Sequence, residues 1–177
     1  MNDLTTLSPY GVLSASETLT IQRLLPGPVE LVWAALTEND LRRQWLAAGE
    51  MELKLGAPFE FVWRNNELSD PPARQPEGFK EEYRMESRIT ELDAPRRLSI
   101  GWDDTGEVTF ALEPQGKKVL LTVTHRGLSD RGTLLAIAAG WHMHLDILVI
   151  RSRGLEPEPF WEGWTRLRQD YDRRFMA

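Results

Sequence analysis

Between Thr133 and Ile150 the chain is apolar at nearly every position, and the polar exceptions are Thr133, His142, His144 and Asp146. A helix this apolar around its circumference requires cover on all sides. Its length approaches that of a membrane span. A span, however, needs roughly 20 apolar residues, and two histidines and an aspartate occupy the second half of this one. Everything upstream reads as sheet, so residues 131–153 are expected to form a long core helix wrapped by strands.

The upstream pattern alternates. Residues 17–25 (ETLTIQRLL) alternate about Leu19 and Ile21 as a strand does. Pro26-Gly27-Pro28 ends it, and Pro28 suits a first helical turn. Val29, Val32, Trp33 and Leu36 then recur at helical spacing. Asn39 or Asp40 can cap a second short helix through Leu41, Trp45 and Leu46, closed by Gly49. A short strand is expected over 50–55, and another over 57–64 with Phe59, Phe61 and Trp63 on one face. Residues 65–79, with three prolines, form a loop long enough to read as a lid or mobile segment, or equally as a disordered excursion. From Lys80 to Leu92, Tyr83, Met85, Ser87 and Ile89 oppose Glu82, Arg84, Glu86 and Arg88, the pattern of a sheet with one wet face. Turns at Asp93-Ala94-Pro95, at Asp103 to Gly106 and at Pro114-Gln115-Gly116 separate strands 97–102, 107–113 and 117–125 into an antiparallel meander. Their inward rows carry Trp102, Phe110, Val123 and His125. After the break at 154–159, Trp161, Trp164, Leu167, Tyr171 and Phe175 mark a final amphipathic helix that packs on the body or on a partner. The expected organisation is one domain: an arm (1–16) pinned at Tyr10, a body (17–153) and a terminal helix (154–177) belonging to the same domain.

Composition narrows the function classes. The chain has 177 residues, 41% of them hydrophobic, a net charge of −6 and a pI near 5.2. With no basic block, binding to nucleic acid is not expected. There are no cysteines, which excludes disulfides, thiolate metal sites and a cysteine nucleophile. The N-terminal stretch lacks a basic start followed by an apolar run, so it does not read as a secretory signal, and a cytoplasmic location is the expectation. Seven tryptophans must sit in a core, a pocket or an interface.

No nucleophile elbow, phosphate loop or metal-ligand spacing occurs. His142 and His144 lie two apart on a helix, so they face nearly opposite ways and cannot hold one ion together. His144 falls one turn beyond Trp141 and is a candidate cavity residue, although a histidine hydrogen-bonded within the core is the favoured reading. His125 ends the inward row of its strand, where a cavity would open. Asp146 is expected to be solvated; turned inward it would need Arg23 or a histidine as partner. The inward aromatics are the strongest signal: Trp33, Phe59, Phe61, Trp63, Tyr83, Trp102, Phe110 and Trp141. Most pack the core, and a few are expected to line an apolar cavity, together with Met85, Val123, His125, His144, Leu145 and Leu148. No catalytic residue, metal or cofactor is assigned.

The order of elements is strand, two short helices, six strands and a long helix. It resembles the START/Bet v 1-like helix-grip superfamily (SRPBCC), and within it the branch of homologues of the activator of the heat-shock-protein-ninety ATPase. The residues that carry the resemblance are Arg23, Pro28 through VELVWAALTENDLRRQW, and Gly56 with Phe59 and Phe61. Asp93 through Leu98 (DAPRRL), Thr122 to Leu128 (TVTHRGL), and Gly140-Trp141 with Leu145 and Leu148 complete it. The resemblance covers roughly residues 17–153. It implies an α+β fold in which a curved antiparallel sheet wraps the long C-terminal helix, with two short helices after the first strand and a cavity between sheet and helix. It implies no single activity.

Three functions are therefore entertained. The first is a non-catalytic module that binds a small hydrophobic or aromatic molecule. The second is an enzyme of the cyclase, dehydratase or hydrolase sort, with His125 or His144 as base and Tyr83 as donor. The third, by family name alone, is a co-chaperone-like activator of a heat-shock ATPase. A homodimer through a sheet edge or the Trp-rich tail is plausible on the same reading.

Overall fold

The structure, a computed structural model, describes residues 7–14, 17–103 and 106–176. Its elements are β1 (Val12–Ser14), β2 (Thr18–Pro26), α1 (Val29–Thr37), α2 (Asn39–Arg42), β3 (Pro58–Trp63), β4 (Tyr83–Asp93), β5 (Arg97–Trp102), β6 (Gly106–Gln115), β7 (Lys118–Arg126), α3 (Arg131–Ser152) and α4 (Phe160–Arg174). This is the α+β helix-grip arrangement. The seven strands form one antiparallel sheet in the order β1-β2-β7-β6-β5-β4-β3. β4 to β7 are joined by successive hairpins. β2 returns to pair with β7 from Leu19↔His125 to Pro26↔Lys118, so the first long strand and the last lie side by side. A register shift between Ile89 and Glu91 interrupts the β4–β5 ladder, and bulges of this kind bend a strand.

The alternation in β2 decides its faces. Leu19, Ile21, Arg23 and Leu25 are buried and the residues between them are not. α3 packs on β2 and α4, and α1 packs on β6 and β7. α3 is long and apolar enough to cross a membrane by length and composition, and it is the one such helix among the described residues. Here it is a core helix: Leu134, Ala138, Ala139, Leu145 and Ile147 are buried among strand side chains and α4. Its start is fixed by Asp130, whose carboxylate accepts from the Thr133 backbone N–H at 2.8 Å and from the Thr133 hydroxyl at 2.9 Å.

Three local expectations change. The second short helix spans only Asn39–Arg42 and continues as turns. The stretch 50–55 is not a strand. Ala48 bridges to Val62, but the ladder stops at Gly49, where φ is +136°. The backbone groups of Gly49 are taken by side chains instead: its N–H donates to Asn39 Oδ1 at 2.8 Å, and its carbonyl accepts from Arg42. A Cβ at this position would overlap the Glu60 carbonyl, so only glycine fits. The extra strand comes from the arm, where Val12–Ser14 pairs with Thr18–Thr20. Residues 1–6 and 15–16 of the arm lie outside the described residues, as do 104–105 of the Asp103–Gly106 turn.

Asp146 also departs from expectation. Its side chain is 42% exposed, yet it is paired: Arg23 donates to Oδ1 from Nε (3.2 Å) and Nη2 (2.9 Å), and His142 Nε2 lies 3.4 Å from Oδ2. Burial alone would raise the Asp146 pKa; the His142 hydrogen bond and the Arg23 charge outweigh it and hold the carboxyl below its usual range. His142 Nδ1 in turn meets the Tyr171 hydroxyl at 2.9 Å, and that hydroxyl accepts from the Gly11 N–H at 2.7 Å. Tyr10 joins the same cluster through Asp170 (3.2 Å) and beneath Arg174. The chain of bonds ties arm, β2, α3 and α4 to one another, and Tyr10 does pin the arm.

Arg42 is 1% exposed and donates to three carbonyls, those of Leu36, Ala47 and Gly49, while its guanidinium sits 4.8 Å from the Phe61 ring centroid. Burial pushes its pKa down to about 10. Replacing it orphans buried acceptors. Arg42→Leu is expected to lower stability by about 3 kcal/mol, read as a fall in the urea midpoint; an unchanged midpoint would contradict this role.

Candidate functional site

Between α3, α4 and the β3–β5 side of the sheet lies a cavity of about 300 Å³. Its floor is a stripe of α3: Ala136, Ile137, Gly140, Trp141 and His144. These positions recur at three- and four-residue spacing and therefore share one face. Ala136 and Gly140 are small, and a Cβ built on Gly140 meets nothing within 4 Å. The sheet supplies Trp63, Tyr83 and Trp102, while α4 supplies Phe160, Trp161 and Trp164. Leu46, Asn65 and Phe79 close the sides.

The rings contact one another edge-on or tilted. Trp63 and Trp102 are 5.4 Å apart between centroids, Trp102 and Trp141 5.6 Å, and Trp161 and Trp164 5.5 Å. The loop 65–79 contributes directly. It begins with a short 3-10 helix, Asn65–Leu68. Phe79 lies 5.1 Å from Trp161 and 5.3 Å from Trp164. Asn66 accepts from the Trp161 ring N–H at 2.8 Å, and the Asp70 N–H donates to Glu156 at 2.7 Å. The loop is thus stitched to the start of α4 and to the linker before it, as a lid would be.

Of the residues expected to line a cavity, Trp63, Tyr83, Trp102, Trp141 and His144 do so. The others lie elsewhere. Phe110, Val123 and Leu145 are fully covered in the centre, and Phe110 packs against Trp141 with ring centroids 5.7 Å apart. Phe59 and Phe61 stack 4.8 Å apart in the core, and Met85 packs against that core. Trp33 is buried on α1, and Leu148 lines a separate cleft with Val32 and Trp45. His125 stands behind the wall, its Nδ1 accepting from the Trp141 ring N–H at 3.0 Å. The sequence reading missed the α4 rings, Phe79, Asn65 and Leu46. The small residues Ala136 and Gly140, in register with Trp141, were the available signal.

His144 and His125 are both buried, and burial pushes each pKa down to about 4. The His144 Nδ1 lies 2.8 Å from the Trp45 carbonyl. A carbonyl only accepts, so Nδ1 carries the proton and Nε2 is left as an acceptor. The two imidazoles of the expected H-x-H pair diverge: His142 turns to Tyr171, and His144 to Trp45 and Phe160.

The profile of the family described as Activator of Hsp90 ATPase homolog 1-like protein (AHSA1) matches residues 26–151. The chain belongs to this family. A protein from Bordetella parapertussis, solved in solution, is similar over 100% of this chain and 97% of its own, at 31% identity and a TM-score of 0.79. CalU16 from Micromonospora echinospora covers 95% of this chain and 96% of its own, at 20% identity and a TM-score of 0.65. An AHSA1-like protein from Aeromonas hydrophila covers 78% and 95%, at 21% identity and 0.60. The last two likenesses establish the AHSA1 fold and nothing finer. No curated protein matches the chain.

Two outcomes are expected. Each of the two low-pKa imidazoles takes up its proton in the unfolded chain near pH 6.5 and in the folded one only near pH 4. Their stabilisation is complete above about pH 6.5 and is lost as the pH falls towards 4. Urea midpoints measured across this window should fall by an amount equivalent to roughly 1–3 kcal/mol per imidazole; a flat profile would refute it. Separately, Gly140→Ala should raise stability by about 0.5–1 kcal/mol, since alanine suits a helix interior and has room. A drop in thermal midpoint would show that the space is not there.

Proposed function

We propose that this AHSA1-family protein is a binding module that takes one small, apolar or aromatic molecule into the cavity between α3, α4 and the sheet. The observation that carries the reading is the wall: seven aromatic rings from sheet, α3 and α4 surround a floor kept low by Ala136 and Gly140. Ligand sites are mostly apolar concavities of about 300–1,000 Å³ with few polar groups. Ring walls grip planar molecules through offset and edge contacts. Acid–base catalysis is less well served. His144 stays neutral and is a weak base, His125 stands behind Trp141, and no carboxylate, lysine or arginine lines the cavity among the described residues. The ATPase-activating reading rests on the family's description alone.

The test is a thermal-shift series with planar aromatic probes, backed by native mass spectrometry of the purified protein. A probe at a hundredfold its Kd adds about 2.7 kcal/mol, or roughly 5–10 °C for a chain of this size. Gly140→Leu should fill the floor, leave the protein folded and abolish the shift. Absence of any shift or bound mass in the parent protein would sink the reading.

A further inference from the structure

The polar groups of the cavity are few, and most are already committed. The ring N–H of Trp141 goes to His125 at 3.0 Å, that of Trp161 to Asn66 at 2.8 Å, and that of Trp164 to the Ala136 carbonyl at 3.1 Å. Two groups are not committed. The first is His144 Nε2, left as a bare acceptor because Nδ1–H is held by Trp45. The second is the carboxamide of Asn65. Its Oδ1 is buried with no hydrogen-bond partner among the described residues. That oxygen is closed off from the cavity space, so the end of Asn65 left to a ligand is its amide nitrogen, which makes no hydrogen bond among the described residues. Turning the carboxamide over would put its oxygen at that accessible end instead. Asn65 therefore calls for a polar ligand atom in either orientation.

At the rim, the Tyr83 hydroxyl accepts from the Lys80 N–H at 3.0 Å, which leaves its own proton free to donate. A ligand atom that both donates and accepts fits this set: it can donate to His144 Nε2, and accept from the Asn65 amide or from Tyr83. That is the chemistry of a hydroxyl group. A carboxylate is poorly matched. It brings only acceptors to the bare acceptor of His144, and no lysine or arginine lines the cavity to offset its desolvation.

Resting on the binding reading above, we infer that His144 and Asn65 make the cavity selective for a neutral aromatic alcohol over the bare hydrocarbon and over the aromatic acid. A hydrogen bond to an otherwise unpaired buried acceptor is worth roughly three- to tenfold in affinity. Three probes of one shape separate the possibilities: naphthalene, 2-naphthol and 2-naphthoate, titrated at neutral pH by calorimetry or by competition in the thermal-shift assay.

The expected order is naphthol tightest by roughly three- to tenfold over naphthalene, with naphthoate weakest. In Asn65→Leu the naphthol preference should shrink while naphthalene binds at least as well. This variant should fold, because the Asn65 side chain makes no hydrogen bond that the fold depends on. If it does not fold, the three-probe order in the parent protein decides alone. Equal binding of naphthol and naphthalene, or tightest binding of naphthoate, overturns the inference while leaving the cavity reading intact. An undiminished naphthol preference in Asn65→Leu overturns the part given to Asn65. Binding of none of the three overturns the cavity reading, and this inference with it.

Discussion

A helix of 22 residues that is apolar on every side cannot rest on a sheet alone, because a sheet covers one side of it. In this fold the demand is met twice. The strands take one side of α3, and α4 takes the other with Phe160, Trp161, Trp164, Leu167 and Tyr171. The approach of the two helices is close: a Cβ on Gly163 would overlap Met143 of α3. Burial of α3 is thus what recruits the terminal helix into the body. The same recruitment brings ring side chains to the stretch of α3 where Ala136 and Gly140 leave space.

The polar exceptions on α3 follow from the same demand. A buried polar group is costly unless bonded, and each exception has partners chosen by its direction. His142 and Asp146, one turn apart, point to the arm and β2 and are satisfied by Tyr171 and Arg23. His144 points the other way, to the Trp45 carbonyl. Its second nitrogen makes no hydrogen bond among the described residues, and the residue borders the cavity. The network around Asp146 holds the arm, β2 and α4 to α3. Two residues apart in sequence, His142 and His144 thus bond to partners on opposite sides of one helix.

Much of the fold was legible because period reports facing. The meander, α1, α3 and the stripe on α4 all emerged from spacing, and motifs such as DAPRRL and TVTHRGL carried the family. The stretch 50–55 was misread because its alternation is real but its backbone partners are not strands; Asn39 and Arg42 intercept Gly49 first. That interception is a tertiary event with no local signature. The candidate site shows a similar limit. Alternation says that Phe110, Val123 and Trp102 all point inward, but not which of them meets another ring and which meets space. Phe110 lands on Trp141, whereas Trp102 lies at the edge of the gap. The α4 rings were legible as buried but not as cavity walls, since a stripe does not say what it faces.

The crowding of indoles has an optical consequence. Five of the seven tryptophans, Trp63, Trp102, Trp141, Trp161 and Trp164, border one space. Near-ultraviolet emission from this protein therefore originates mainly around that space. Indole excitation also migrates between rings at such separations, so a quencher entering there would darken several emitters together. The molecule carries a built-in reporter whose signal describes occupancy of its interior far more than the state of its surface.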